Sequence, residues 1–262
     1  MTAETTKEER LGRTLAGAAR EGRVLSTPEL AAAGLVPETI AEGMAAQAAS
    51  VVAGGWPVAG WKVAVRPEGV AVAAPLVDIV EAEGPEPVAY RSPLLTAVEV
   101  EIAVRLRDDM PARSGTAYSR EALMDNIASV HMGIEILSFR LDDGNQGPFP
   151  LFLADRIGNG GFVLGPAVDP AVIDAVAGES ADLAPIVLRC GSETLFSGPA
   201  VHPNGDPLSP VLAYANAQID GLGGLKAGQV VTTGALCGLV SVPPNCTLHA
   251  DWISSMEMEL SG

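Results

Sequence analysis

Two glutamates one residue apart in a β-type run carry the first chemical signal of this chain. In Val98-Glu99-Val100-Glu101-Ile102-Ala103-Val104 the apolar residues alternate with the others, which is the pattern of a half-buried strand. Side chains alternate across a strand, so Glu99 and Glu101 share one face, roughly 6.5 Å apart along it. Carboxylates held side by side repel each other unless water screens them or a cation sits between them. A solvated acidic face is the ordinary reading of such a pair. A third acid shifts the balance: Glu135 lies in His131-Met132-Gly133-Ile134-Glu135-Ile136-Leu137, a run too apolar for a surface. A carboxylate there must be paired, protonated or bound to a cation, because burying a bare charge is costly. Three converging glutamates would form an all-oxygen site, which suits Mg²⁺ or Mn²⁺ and disfavours zinc. Their convergence does not follow from spacing, since 34 positions separate Glu101 from Glu135.

The charge balance sharpens the question. Sixteen basic against 32 acidic residues leave a net charge of −16, which argues against nucleic acid or an anionic membrane as partner. An anionic substrate would need a local cation or a metal. Only Lys7, Lys62 and Lys226 are lysines, and Lys62 stands inside the apolar strand Val58–Val65. It is either a snorkelling strand-end lysine or a positive group placed beside the acids.

The elements that must position these residues follow from local patterns. With 262 residues, 48% hydrophobic and 18% charged, the chain can bury a sizeable core. No apolar run approaches the roughly 20 residues of a membrane span, and Met1–Arg13 carries no signal-peptide core. Cys190, Cys237 and Cys246 show no C-x-x-C spacing, so neither a disulfide frame nor a zinc site is expected, and a reducing cytoplasm fits. Residues 5–52 read as helical: Leu11, Leu15, Ala18 and Ala19 form a stripe ended by Gly22, Ser26-Thr27-Pro28-Glu29 opens a second helix, and a third runs from about Pro37 to Val52. Beyond Gly55 short β-prone runs are cut by Gly and Pro. Strands are expected at Val58–Val65, Val70–Asp78, around Glu99, at His131–Arg140 and from Phe162. A hairpin is expected at Ile186–Gly198, and three strands at Gln229–Thr233, Leu239–Val242 and Thr247–Ile253. Loops are expected at Glu81–Pro87 and Leu141–Pro150. Helices are expected from Ser119 to about Val130, after Asp169-Pro170, and at Ser209–Ile219. The result is an α+β chain with a mixed sheet, a helical segment over 1–55 and a β-rich body over 56–262.

Several short motifs occur together in a telling order: Gly60-Trp61-Lys62, Pro75-Leu76-Val77-Asp78, Glu99-x-Glu101, Glu135, Leu153-Ala154-Asp155, Gly161-Phe162-Val163-Leu164-Gly165, and Leu225-Lys226-Ala227-Gly228 followed by Thr232-Thr233-Gly234-Ala235. This order resembles the hydratase/decarboxylase branch of the fumarylacetoacetate hydrolase superfamily. The resemblance runs from about Gln47 to the C-terminus and implies a twisted, mixed β-roll. It also implies a divalent metal on Glu99, Glu101 and Glu135, a small 2-oxo or 2-hydroxy alkenoate substrate, and a ring-shaped homo-oligomer.

On the same resemblance, Lys62 and Asp78 take catalytic roles, and Asp155 and Thr233 lie near the substrate or the metal shell. Asp78 and Asp155 have simpler readings as turn-capping residues. The chain departs from the family where a G-x-T-S run commonly follows the lysine: Ala64-Val65-Arg66-Pro67 stands there instead. Arg66 can clamp a substrate carboxylate, or turn outward to pair with Glu68 or Glu81. Leu137-Ser138-Phe139-Arg140 departs in the same way from an I-D-S-R-type run. The activity implied is hydration of a 2-hydroxy-2,4-dienoate in the breakdown of aromatic compounds. Its rivals are decarboxylation of a 2-oxo-3-enedioate and a non-catalytic subunit that binds an enzyme partner. An intact acid set with Lys62 argues against the last.

Overall fold

The computed structural model describes residues 5–82, 84, 86–178 and 183–262. Positions 83 and 85 of the expected Glu81–Pro87 loop, like the first four residues, lie outside these. Helix α1 (Lys7–Glu21) opens on a capping box in which the Thr6 hydroxyl accepts from the Glu9 N–H and the Glu9 carboxylate from the Thr6 N–H. It closes at Gly22, as the sequence indicates. Short α2 (Thr27–Ala32) and then α3 (Ile40–Gly54) follow, the latter capped by the Thr39 side chain. Leu11 and Leu15 share a small core with Leu141, Leu151 and Ala154, which ties the N-terminal helices to the body.

The body runs β1 (Gly60–Val65), β2 (Ala71–Leu76), β3 (Ile79–Glu81), β4 (Val88–Arg91), β5 (Leu95–Leu106), α4 (Arg120–Asp125), β6 (Ile127–Ser138), α5 (Phe149–Ala154), a 3₁₀ turn at Arg156–Gly158 and β7 (Asn159–Val168). It continues with α6 (Ala171–Ala177), β8 (Ile186–Cys190), β9 (Glu193–Gly198), α7 (Leu208–Ala215), β10 (Val230–Ala235), β11 (Val240–Ser241), β12 (Cys246–Asp251) and β13 (Ser255–Ser261). An eight-stranded mixed sheet has the order β2-β1-β10-β5-β6-β7-β3, with β11 also on β5. A second sheet has the order β4-β13-β12-β8-β9.

The large sheet has two unlike faces, and alternation along each strand creates them. One face, with Trp61, Val63, Val98, Val100, Ile102, Ile134 and Val163, packs on Leu188, Leu248 and Met258 of the second sheet to form the main core. The other carries the alternate residues. Part of it, Val72 and Ala74, is covered by Met44 of α3 and by Leu153 and Ile157. Another part is the small cluster of Leu76, Ala103, Phe162, Leu164 and Val230. Lys62, Glu99, Glu101 and Glu135 lie on this second face.

Two expectations are corrected, and β4, α5 and β13 are elements that were not expected. The helix expected to reach Val130 ends at Asp125, and Ile127–Val130 opens β6 instead. Pairing with β5, which sets Ile127 opposite Leu106 and Val130 opposite Val104, overrides the helical spacing of Leu123, Ile127 and Val130. Strand β13, with Met256, Met258 and Leu260 facing inward, was absent from the sequence reading. Cys190 and Cys246 are joined as a disulfide between neighbouring β8 and β12, with Cα atoms 5.7 Å apart. Their separation of 56 residues offers no local signal for that pairing.

Candidate metal centre

Strand pairing brings the three glutamates together. Glu99 stands directly opposite Glu135 across β5 and β6, and Glu101 is one pleat along. One carboxylate oxygen from each lies within 4.8 Å of the others. Glu101 and Glu135 are fully buried, and Glu99 is partly open.

Lys62 reaches the cluster from β1, two strands from β5 with β10 between them. Its Nζ lies 2.7 Å from Glu135 Oε2 and 3.3 Å from Glu99 Oε2. Burial alone would lower the lysine pKa, but Glu135, Glu99 and Glu101 outweigh it and raise the value well above the ordinary one. The three carboxylates thus favour the ammonium form of Lys62. Burial drives the pKa of Glu101 and Glu135 upward against the pull of Lys62. One cation does not balance three carboxylates.

Two further groups hold the acids in place. The Gly234 N–H donates to Glu101 Oε2 at 3.0 Å, and Asn159 Nδ2 donates to Glu135 Oε1 at 2.9 Å. Gly234 has φ +126°, a conformation that side-chain-bearing residues rarely adopt, so the turn that aims this N–H calls for glycine. The remaining oxygen of Glu101, Oε1, is buried and accepts no hydrogen bond. A buried orphan acceptor among carboxylates with an excess of negative charge fits a hard divalent cation such as Mg²⁺ or Mn²⁺.

The other residues singled out in the sequence fall elsewhere. Asp78 accepts a hydrogen bond from Tyr90 Oη at 2.7 Å, and no ion pair joins it to Lys62. Asp155 is buried and committed to Arg140, accepting from its backbone N–H at 3.1 Å and from its Nε. Arg66 takes the outward alternative: it stacks on the Phe149 ring, 3.6 Å from the centroid, and pairs with Glu68 at 3.3 Å. Thr233 spends its hydroxyl on the Ile102 carbonyl at 3.0 Å. Its neighbour Thr232 aligns with Lys62 across β1 and β10, so it shares the lysine's face, and its buried Oγ1 has no partner. Thr232, Asn159 and the Gly234 N–H are the groups that sequence reasoning missed. The alternation of β10 was visible, but its registration on Lys62 was not.

No protein-family model and no curated protein matches the chain. Solved structures do. The 4-oxalocrotonate decarboxylase from Pseudomonas putida G7 complexed with magnesium and adipate is 17% identical, with a TM-score of 0.77 over 99% of each chain. The same enzyme with calcium and acetate is 16% identical, with a TM-score of 0.76 and the same coverage. A fumarylacetoacetate hydrolase family protein from yeast aligns over 77% of this chain and 93% of its own, at 14% identity and a TM-score of 0.50. The chain has the fumarylacetoacetate hydrolase fold. The mixed β-roll expected from the motif order is thus present, and the likeness to the decarboxylase takes in the N-terminal helices as well. Among the described residues no helix is long and apolar enough to cross a membrane.

Proposed function

We propose that this protein is a metal-dependent lyase of the fumarylacetoacetate hydrolase superfamily that hydrates a 2-hydroxy-2,4-dienoate. The observation that carries the reading is the centre itself: three carboxylates, two of them fully buried, facing a single lysine. Glu99, Glu101 and Glu135 would hold the ion. When bound, a divalent cation supplies Lewis acidity toward the carboxylate and adjacent oxygen of a 2-oxo or 2-hydroxy acid.

The chain's own residues do the rest. Lys62, held as an ammonium in reach of Glu135 and Glu99, carries a proton at Nζ. It delivers this proton to C5 of the dienol and recovers one from the 2-hydroxyl, giving the 2-oxo-3-enoate. Water then adds across C3 and C4, the hydroxyl at C4 and the proton at C3. Thr232 Oγ1, which has no internal partner, is free to donate to a substrate oxygen. Gly234 and Asn159 fix two of the carboxylates, so their positions do not have to be found anew in each turnover. A small acid, rather than a nucleic acid or a membrane, is the partner that such a centre accommodates in a chain of net charge −16.

Decarboxylation of a 2-oxo-3-enedioate is the second reading, supported by the whole-chain likeness to a decarboxylase. Against it, Arg66 is engaged by Phe149 and Glu68 and leaves no arginine clamp for a second carboxylate at this position. The two are separated by supplying Mg²⁺- or Mn²⁺-loaded protein with 2-hydroxypenta-2,4-dienoate and with 2-oxo-3-hexenedioate. The expected result is loss of dienol absorbance with formation of a 4-hydroxy-2-oxo acid. Release of carbon dioxide from the diacid alone would favour the second reading. No reaction with either would overturn both.

A further inference from the structure

In the turn before β7 lies a second buried charge, Arg156, that is not among the residues of the metal centre. Asn159 points its side chain at Glu135, while the next residue, Gly160, lines a separate cavity of about 380 Å³. Gly160 is left unpaired where the β6–β7 register shifts between Ile136 and Leu137, and neither Lys62 nor any of the three glutamates lines this cavity.

Arg156 lines this cavity and is only 4% exposed. Among the described residues no carboxylate lies within ion-pair distance of it. Its Nε has no hydrogen-bond partner, and its Nη2 reaches only the Asn159 carbonyl, at 3.4 Å. The Trp56 indole covers the guanidinium, 4.8 Å from ring centroid to Cζ. Arg140, which shares the wall, is already paired with Asp155. Burial, and then the neighbouring Arg140, lower the pKa of Arg156 to about 9, so it remains cationic at neutral pH. Burying a cation without a partner is expensive.

The rest of the lining suits an anion. Ser92 and Ser138 lie Oγ to Oγ at 2.5 Å. A hydroxyl pair linked by one hydrogen keeps its second hydrogen free to donate. Arg91 adds positive charge at the rim. Asp78 is the opposing group on the wall; it is exposed, and its Oδ2 accepts from Tyr90 Oη. The volume is that of a site for a small metabolite.

We propose that this cavity binds a small oxyanion, a carboxylate or a phosphate, seated on the Arg156 guanidinium with the Ser92–Ser138 hydroxyl pair as its second contact. Its two proposed contacts, Arg156 and the serine pair, are not residues of the acidic centre.

The test is calorimetric titration of protein freed of metal on a chelating resin, with succinate in one arm and inorganic phosphate in the other. Saturable binding of at least one, at a Kd of about 10 mM or tighter, is expected. The arm that binds identifies the source of the anion. Arg156→Gln should weaken that binding by about 10- to 100-fold, the loss of a charged hydrogen-bonding partner. Lys62→Ala should leave it unchanged, because the lysine belongs to the other centre. Absence of binding in both arms, or loss of binding in Lys62→Ala equal to that in Arg156→Gln, overturns the proposal. Should Arg156→Gln fail to fold, Ala19→Phe replaces it. Ala19 lies half-exposed on α1 at the cavity wall, so the ring fills the space from outside. Loss of binding in that variant supports the site, and undiminished affinity overturns it.

Discussion

The two buried charge centres of this protein are opposites in sign and alike in construction. At one, three glutamates face one lysine and are negative in excess. At the other, Arg140 and Arg156 face Asp155 and are positive in excess. Asn159 touches both: its side-chain amide donates to Glu135 and its carbonyl accepts from Arg156. Paired buried charges such as Arg140–Asp155 are satisfied within the fold and call for nothing further. Unbalanced ones call for a ligand of the missing sign, because the interior cannot solvate the surplus. The sum of the chain's charge, at −16, says nothing of this local bookkeeping.

The largest effect expected is at Lys62, where the comparison is most easily broken. Lys62→Ala should lower turnover by about 10²- to 10⁴-fold if the lysine moves a proton. The same change removes the internal cation of the acidic centre and should cost the metal-free protein up to about 3–5 kcal/mol. Added Mg²⁺ or Mn²⁺ should then raise the melting temperature more in the variant than in the wild type, since the ion replaces the lost charge. Thermal melts with and without metal, set beside steady-state kinetics, read both effects. A variant that loses stability and activity in proportion, and that metal does not rescue, would reduce Lys62 to a structural ion pair.

Asn159→Ala comes next and probes the residue that touches both centres. Its amide orients Glu135, so metal affinity or activity should fall by about 10- to 100-fold. The backbone carbonyl that meets Arg156 is retained, so anion binding in the cavity should persist. Metal titration followed by calorimetry measures the first, and the succinate and phosphate titrations the second. Equal loss at both centres would mean that the two are one unit.

Gly234→Ala should be smaller. A side chain at φ +126° is strained by about 1–3 kcal/mol, and the Cβ would meet His202 Nε2 at 3.3 Å. The melting temperature should drop by several degrees, and metal affinity should weaken because the N–H that holds Glu101 is displaced. Unchanged metal affinity with a lowered melting temperature would show that the glycine serves the turn alone.

What was legible in the sequence divides along the same line. Same-face placement of Glu99 and Glu101 follows from strand alternation, and the burial of Glu135 from its apolar neighbours; both are local properties. The placement of Thr232 beside Lys62 depends on parallel pairing between β1 and β10, strands 170 positions apart at Lys62 and Thr232, and no local pattern encodes it. Thr233, to which the resemblance pointed, gives its hydroxyl to the Ile102 carbonyl, a partner that no motif reveals. Asp78 and Asp155 carry the residue type expected of a site, but their partners, Tyr90 and Arg140, come from elements with which no spacing links them. The arginine cavity left no signal at all, since an arginine reads as surface until the fold buries it.

The smallest effect is expected at Arg66, and the contrast with Arg156 supplies the reason. Both guanidiniums lie over an aromatic ring, Phe149 in one case and Trp56 in the other. Arg66 has a carboxylate partner in Glu68 and a side chain 27% exposed, whereas Arg156 is buried with none. A partly exposed pair with a cation–π contact contributes on the order of 1 kcal/mol. Arg66→Ala should therefore lower the melting temperature by a few degrees at most. It should leave the ratio of kcat/KM for a mono-acid and a di-acid 2-oxo-alkenoate unchanged, because the guanidinium is turned to the Phe149 ring and Glu68. A shift in that ratio toward the mono-acid on removal of Arg66 would return this residue to the substrate and restore the carboxylate clamp.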